Sequence, residues 1–523
     1  MRIVLINPNY RANSIHGMGP QVPLGLLMIG GPLIDAGHDV KLINAEAWQL
    51  TDSEIIDRAA RFAPHITMVG HAGSSPAHRV CLRTMCELKQ AMPWLTLVYG
   101  GVHPSFHARE ILTTQPCVDI VVRGEGEAIA LQLADTLATR RSLDGVPGIS
   151  YRCQGAIREN TSAPLIRDFS PYRVAWELIE DWDRHQCWGL GRAAVVQFSR
   201  GCPHQCSYCG QRGFWRKWRH RNPQALAQEI AWLYHEHAVR FVTFADENPT
   251  TSPRLWRQFL EAMIKQNVPV SLTAAMRTTD ICRDEKMLPL YKKAGFCSLL
   301  LGIETTNPDT IAEINKGSTE IIDAKAIRLL RANGILSIAG LVFGLEHDSW
   351  RSGATGFRNL LAYGPDFINA MYATPFPWTP FWTQSATRPI VENDPTKWDF
   401  RHQVLGTRHL QPWQLFMIVK STELAFHLRP AHLLRMAFHP DSEIRRQLRW
   451  CTLHAGYVWL AEIKEFFARM AISRRQTRLL CSKPRAVTRS QAPCATADRV
   501  SVASIPPGLK IGEHLGADAG RSG

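Results

Sequence analysis

The chain has 523 residues, with 60 Lys and Arg against 46 Asp and Glu, a net charge of +14, and 45% apolar residues. That composition supplies core material for roughly two to four ordinary domains and excludes a wholly disordered chain. The longest near-apolar stretch, Pro23 to Ile34, falls well short of the roughly twenty residues a bilayer span needs. The run Ile3 to Ile6 is too brief for a secretory signal, so a cytoplasmic protein is expected. Thirteen scattered Cys argue against a disulfide framework, and any Cys cluster becomes a metal-ligand candidate.

From the N-terminus, Arg2 to Ile6, Val40 to Ile43, Ile66 to Val69, Leu95 to Tyr99 and Val118 to Val122 are short apolar, mostly β-branched runs that predict buried strands. Segments of helix length accompany them: Leu24 to Ala36, Ser53 to Arg61, Ala77 to Ala91 and Ala128 to Ala138. This alternation predicts a parallel, doubly wound α/β domain over residues 1–140, whose ligands bind at the carboxyl ends of the strands. Those ends read Asn7-Pro8-Asn9, His71-Ala72-Gly73-Ser74, Gly100-Gly101-Val102-His103-Pro104 and Gly124-Glu125-Gly126-Glu127. Glycine there lets backbone approach a bulky, flat or phosphorylated ligand, although each also suits a tight turn. Together they point to a nucleotide or corrin site.

Residues 141–190 read as a linker. After the strand-like Ala194 to Phe198 comes Ser199-Arg200-Gly201-Cys202-Pro203-His204-Gln205-Cys206-Ser207-Tyr208-Cys209, a CxxxCxxC spacing. Three thiolates on one loop can hold three irons of a cubane cluster and leave the fourth open to substrate. Structural zinc, the alternative, needs a fourth ligand from His204 or elsewhere. The other ten Cys lack such spacing and read as buried small hydrophobes. Phe241 to Phe244, Ser271 to Ala275, Ser298 to Gly302, Ile338 to Val342 and Phe367 to Tyr372, with helices between, predict a partial (β/α)6 barrel over 191–400.

Residues 401–475 read as a helical region with Trp413, Leu415, Phe416, Val419 and Leu424 on one side and Arg on the other. From Arg401 onward, 19 Lys and Arg against 8 Asp and Glu place +11 of the +14 here. Such helices pack in the ordinary way or rest on anionic lipid as a peripheral membrane contact. With no helix-turn-helix, zinc-finger or RNA-binding signature, no nucleic-acid partner is expected. Residues 476–523 mix Pro, Ser, Ala and Arg without periodicity and are expected to be disordered.

The cysteine loop, with an aromatic residue just before its last Cys, resembles the radical S-adenosylmethionine (SAM) superfamily. That resemblance implies a 4Fe-4S cluster on Cys202, Cys206 and Cys209 that passes one electron to SAM, releasing methionine and a 5'-deoxyadenosyl radical. It also implies an electron donor such as flavodoxin or ferredoxin. Tyr208 is then expected near the adenine, Glu304 on the ribose or amino-acid portion, and Gly344 of Gly344-Leu345-Glu346 along the adenine. The plainer reading of Glu304 is a barrel-rim carboxylate paired with Arg277 or Lys316. Asp246-Glu247-Asn248 closes the second barrel strand where many members carry Gly-Gly-Glu.

Pro23-Leu24-Gly25-Leu26, Ala36-Gly37-His38, Gly100-Gly101-Val102-His103-Pro104 and Arg123-Gly124-Glu125-Gly126-Glu127, set before such a barrel, resemble the cobalamin-binding subgroup over roughly residues 1 to 400. This implies cobalamin at Gly100, Gly101, His103, Gly124 and Glu125. The DxHxxG stretch that supplies a lower axial His is not found, and Ser14-Ile15-His16-Gly17 is no adequate substitute. Cobalamin is therefore expected without that ligand, and His16, His71 and His103 read more readily as loop hydrogen-bonders.

Phe214 to Pro223, Ala245 to Thr250 and Thr374 to Pro380 resemble the anaerobic magnesium-protoporphyrin IX monomethyl ester oxidative cyclases, up to about residue 465. The resemblance implies closure of the isocyclic ring of bacteriochlorophyll on a tetrapyrrole substrate, with oxygen from water. Trp215, Trp218, Phe376 and Trp378 would stack on the macrocycle and Arg216, Arg219 and Arg221 would meet its propionates, unless the aromatics are core and the arginines a solvated face. No catalytic residue is assigned. The rival functions are a cobalamin-dependent radical SAM methyltransferase on a tetrapyrrole or other unactivated carbon, and a non-catalytic regulator or tetrapyrrole carrier.

Overall fold

The computed structural model describes residues 1–10, 21–186, 191–211 and 213–481 and divides into two units, 1–463 and 464–523. Residues 11–20, with His16, and 482–523 lie outside the described residues.

The first sheet grows from β1 (Arg2–Asn7), α1 (Leu24–Asp35), β2 (Asp39–Asn44), α2 (Asp52–Phe62), β3 (Ile66–Val69), α3 (Ser74–Ala91), β4 (Thr96–Tyr99), α4 (Val102–Thr114), β5 (Ile120–Val122) and α5 (Gly126–Ala138). Its five strands run parallel in the order β2-β1-β3-β4-β5, which puts a topological switch point between β1 and β3. Each strand expected from the sequence is present within two residues.

Helix α4 was hidden behind Gly100-Gly101-Val102-His103-Pro104. Gly101 adopts φ 121 and ψ −173, a region open in practice only to glycine, and so turns the chain from strand to helix within two residues. The supposed linker is also structured. Strands β6 (Ile149–Cys153) and β7 (Ala156–Glu159) form an antiparallel hairpin on β5, turning through Gln154 and Gly155, both with positive φ as a two-residue hairpin turn requires. Residues 1–140 alone therefore leave the β5 edge bare. A disulfide joins Cys86 and Cys117, so these two of the ten other Cys are bonded rather than free small hydrophobes.

The second sheet is the expected six-stranded parallel barrel, open between its end strands: β15-β14-β13-β12-β11-β8. In chain order it comprises β8 (Ala193–Val196), the antiparallel pair β9 (Ser199–Arg200) and β10 (Arg219–His220), α6 (Pro223–His237), β11 (Phe241–Phe244), α7 (Pro253–Gln266), β12 (Ser271–Arg277), β13 (Phe296–Glu304), α8 (Glu320–Ala332), β14 (Leu336–Phe343), α9 (Trp350–Tyr363) and β15 (Phe367–Tyr372). Side chains of Asn222, Ser252, Thr319 and Ser349 cap these four helices, accepting backbone N–H groups that otherwise lack partners. One apolar core runs from Leu5 and Leu27 of the first sheet through Trp176 to Val196, Leu226 and Phe259 of the barrel.

Three further helices follow: α10 (Pro412–His427), α11 (Pro430–Phe438) and α12 (Ser442–Cys481). Helices α10, α11 and the start of α12 cover the barrel's β15 edge, and Leu415, Ile418 and Thr422 of α10 also line the cavity beside Glu304 at the strand ends. Leu415, Ile418 and Val419 pack on Ala370 and Tyr372 of β15, and Ile444 and Leu448 on Leu336 and Phe367. His427 Nε2 accepts the Ile368 N–H at 3.3 Å, pairing a donor that an edge strand leaves exposed. Helix α12 continues to Cys481, so the disorder expected from residue 476 does not begin there. Among the described residues no helix is long and apolar enough to cross a membrane.

Candidate functional site

The cysteine loop leaves the carboxyl end of β8 through a stem fixed by the neighbouring strand. Asp246 accepts the N–H groups of Phe198 and Ser199 and the Ser199 hydroxyl, and Glu247 accepts Gly201 N–H at 3.0 Å. Burial pushes both carboxyls up to about 7. The acidic stretch that stands in place of Gly-Gly-Glu thus fastens the loop. Gly201 has φ 86, and a Cβ there would lie 2.4 Å from the Lys217 carbonyl oxygen. Beyond the stem, Ser207 N donates to Ile314 O, Phe381 N to Ser207 O and Asn315 Nδ2 to Gln205 O.

Cys206 is buried, and Cys202 and Cys209 are partly so. Arg277, at the end of β12, points Nη1 at Cys206 Sγ, 3.7 Å away. Burial raises the Cys202 thiol and the Arg277 charge opposes that rise. Among the described residues no three His, Cys, Asp or Glu side chains gather closely enough to hold a single ion. A cubane gives each thiolate its own iron and does not require them to converge on one point, so the donor set fits three corners of a cluster.

Opposite the loop, Glu304 ends β13 with φ 66, where the register with β14 shifts. Its carboxylate accepts Lys316 Nζ at 2.8 Å, so the plainer reading's partner is present. Burial and the nearby Glu304 carboxylate drive the Tyr208 phenol well above its usual range. A non-glycine residue at positive φ costs roughly 1–3 kcal/mol and concentrates at functional sites. Gly344 (φ 82) donates its N–H to Asp348 Oδ2 at 2.8 Å, and Leu345 N–H bonds the same oxygen at 3.1 Å. A cavity of about 190 Å³ lies behind these groups, lined by Glu304, Thr306, Leu341, Leu345 and Asp348 among others. Tyr208, Glu304 and Cys206 therefore meet in one place, with Gly344 at the neighbouring strand end.

The cobalamin candidates divide. Gly101 and Gly124 (φ 97) leave nothing within 4 Å of a would-be Cβ, and a Cβ on Gly100 would meet only Val122, at 3.7 Å. Bare backbone at adjacent strand ends is a cradle that fits a corrin. His103 is engaged instead: its Nδ1 bonds Ser75 Oγ at 2.8 Å, and its ring lies between His78 and His107. Burial and the neighbouring imidazoles lower His103 to about 2 and His78 to about 4, so both are neutral near pH 7. Glu125 spends both oxygens on Arg219 Nη1, at 2.7 and 2.8 Å, and one of them also accepts Ile166 N–H.

The substrate contacts expected from sequence are largely taken up by the protein. Trp378 stacks on Phe106 at 4.7 Å and on Phe376 at 5.1 Å and donates to Gly210 O at 2.7 Å. Trp218 donates to Asn248 O, and Trp215 lies against the Arg200 guanidinium. Arg219 and Arg221 pair with Glu125 and Glu229, leaving Arg216 exposed.

The chain matches the radical SAM superfamily over residues 196–352 and the B12 binding domain over 14–134. Solved structures with this fold include the radical SAM methyltransferase TsrM from Kitasatospora setae (TM-score 0.64, 17% identity, 82% of this chain and 90% of that one). The cobalamin-dependent radical enzyme OxsB gives a TM-score of 0.68 at 16% identity, over 88% of this chain and 72% of that one. The class is thus a cobalamin-binding radical SAM enzyme, with a 4Fe-4S cluster, SAM and cobalamin as cofactors. The anaerobic magnesium-protoporphyrin IX monomethyl ester cyclase of Synechocystis sp. is 44% identical over 89% of this chain and 94% of its own length. That of Rubrivivax gelatinosus is 30% identical over 86% and 81%. The chain belongs to this cyclase family.

Proposed function

We infer that the chain is an anaerobic oxidative cyclase, forming the isocyclic ring of bacteriochlorophyll from magnesium-protoporphyrin IX 13-monomethyl ester with oxygen from water. The observation that carries this is likeness to the Synechocystis cyclase through both domains and into the C-terminal helices. When bound, the cluster, SAM and cobalamin supply one-electron reduction, a hydrogen-abstracting radical and corrin chemistry. Cys202, Cys206 and Cys209 hold the cluster on a loop whose stem Asp246 and Glu247 keep rigid. Tyr208, Glu304 and Gly344 take SAM, with Lys316 holding Glu304 in its strained conformation. Gly100, Gly101 and Gly124 admit cobalamin along bare backbone.

A flavodoxin or ferredoxin supplies the electron. The exposed Leu434, Phe438, Leu453, Tyr457 and Leu460, with Arg446 and Arg449 among them, support peripheral contact with an anionic membrane surface. Anaerobic incubation with SAM, cobalamin, reductant and the monomethyl ester, followed by mass spectrometry, tests the function. The cyclase adds one oxygen and removes hydrogens, whereas a methyltransferase adds CH2. A product carrying the latter, or no product despite 5'-deoxyadenosine release, overturns it.

A further inference from the structure

The Gly124-Glu125-Gly126-Glu127 turn lies at a strand end where a ligand is expected, yet its two carboxylates turn toward the barrel. Arg200, two residues before Cys202, places Nη2 on Glu127 Oε1 and Nη1 3.6 Å from Glu125 Oε1. Arg219, paired with Arg200 across the β9–β10 ladder, meets both oxygens of Glu125 and donates to Ile166 O. The Arg200 guanidinium also lies 4.8 Å over both Phe169 and Trp215, bonds Gln197 Oε1 at 2.8 Å and reaches Met28 Sδ at 3.2 Å. All four charged side chains are nearly inaccessible, at 3–9% exposure, and their charges cancel.

Two cations from the stem of the cysteine loop therefore meet two anions from the sheet that carries the glycine cradle. The network is not saturated: Glu127 Oε2, Arg200 Nη1 and Arg219 Nη2 make no hydrogen bond. A buried, partly satisfied ion network contributes little net stability, because desolvation offsets the attraction, but it fixes geometry sharply. We propose that Glu125, Glu127, Arg200 and Arg219 form an interdomain clamp that sets the position of the cluster loop relative to the cobalamin sheet. They are positioning residues and touch no reacting atom. The clamp rests on the cyclase reading only in what its loosening does to turnover.

Three readouts test it on the full chain, two with cluster and cobalamin loaded and one without cofactors, comparing wild type with Glu127→Gln, which keeps the acceptor and removes the charge. Pulsed EPR measures the distance between the reduced cluster and cob(II)alamin. Hydrogen exchange of peptide 199–209, read without cofactors, measures the freedom of the stem. The ratio of 5'-deoxyadenosine to tetrapyrrole product measures coupling. The clamp predicts unchanged iron and cobalamin content, a broadened distance distribution, at least tenfold faster exchange and several-fold more 5'-deoxyadenosine per product.

Glu127→Asp, which restores the charge, should recover most of each effect. Arg200→Lys serves if Glu127→Gln does not fold, and should show the same broadening. A lowered melting temperature with wild-type distance distribution and exchange makes the network merely structural and overturns the proposal. A wild-type enzyme that releases 5'-deoxyadenosine but makes no cyclised product instead defeats the cyclase reading, leaving distance and exchange to decide the clamp.

Discussion

The two parallel sheets finish their strands in opposite ways. At the barrel, the strand ends are crowded with charged side chains in defined pairs: Asp246 and Glu247 on the loop stem, Glu304 with Lys316, Arg277 beside Cys206. At the N-terminal sheet, β4 and β5 end in bare backbone at Gly101 and Gly124, and the nearby polar groups turn away, His103 into an imidazole stack and Glu125 into the clamp. Radical chemistry needs fixed ligands and charges around a small reacting centre. A corrin needs area, which backbone supplies without side chains.

The largest effect expected from breaking this contrast is at the cluster. Cys206→Ala should lose the cluster's iron and sulfide and abolish SAM cleavage, measured on anaerobically reconstituted protein; a normal cluster with normal cleavage would remove Cys206 from the ligand set. Next is the charged pair. Lys316→Met strands the Glu304 carboxylate in a buried, strained position, and a loss of about 3–5 kcal/mol is expected in chemical denaturation. SAM binding should weaken with it, whereas an unchanged midpoint would mean that Glu304 has another partner.

On the other sheet, Gly101→Ala forces a side chain into a glycine-only conformation at about 1–3 kcal/mol and obstructs the cradle. Cobalamin affinity should fall at least tenfold by equilibrium titration, with cluster content intact. Gly25→Ala, in helix α1 with open space around it, is the matched control and should leave cobalamin binding unchanged.

How much of this was readable from the sequence follows the same division. CxxxCxxC is chemistry written in spacing, so the three thiols were identifiable without a fold, and the Glu304–Lys316 pair was among the partners foreseen. Glu125 and His103 are expected at cobalamin only through resemblance to the cobalamin-binding subgroup; nothing local reveals that the Glu125 partner Arg219 lies 94 residues away or that His103 sits in an imidazole stack on Ser75. Helix α4 stayed hidden because Gly-Gly before His-Pro reads as a loop, and β6–β7 because its outer strand is almost wholly solvated. The aromatics proposed for the macrocycle are typical of both cores and binding faces, and only packing separates the two.

A smaller effect concerns pH. Burial lifts Asp348 to about 6, above its unfolded value near 4. The folded state then holds the extra proton, so this contribution is complete below pH 4 and is lost as pH rises through about 6. Asp348→Asn keeps an acceptor for Gly344 N–H and Leu345 N–H but does not titrate. Between pH 4 and 7 the wild type should lose on the order of 1–3 kcal/mol relative to this variant in urea denaturation. Parallel stability curves would show that Asp348 ionises normally. The smallest effect expected is from removing residues 482–523, which should leave cofactor content and turnover unchanged.

The cyclase assignment itself is tested most directly by the origin of the new oxygen. Anaerobic turnover of magnesium-protoporphyrin IX monomethyl ester in H2 18O, with product mass read by high-resolution spectrometry, should show one heavy oxygen in a cyclised, dehydrogenated tetrapyrrole. A product gaining CH2, or a cyclised product with unlabelled oxygen, would contradict the account.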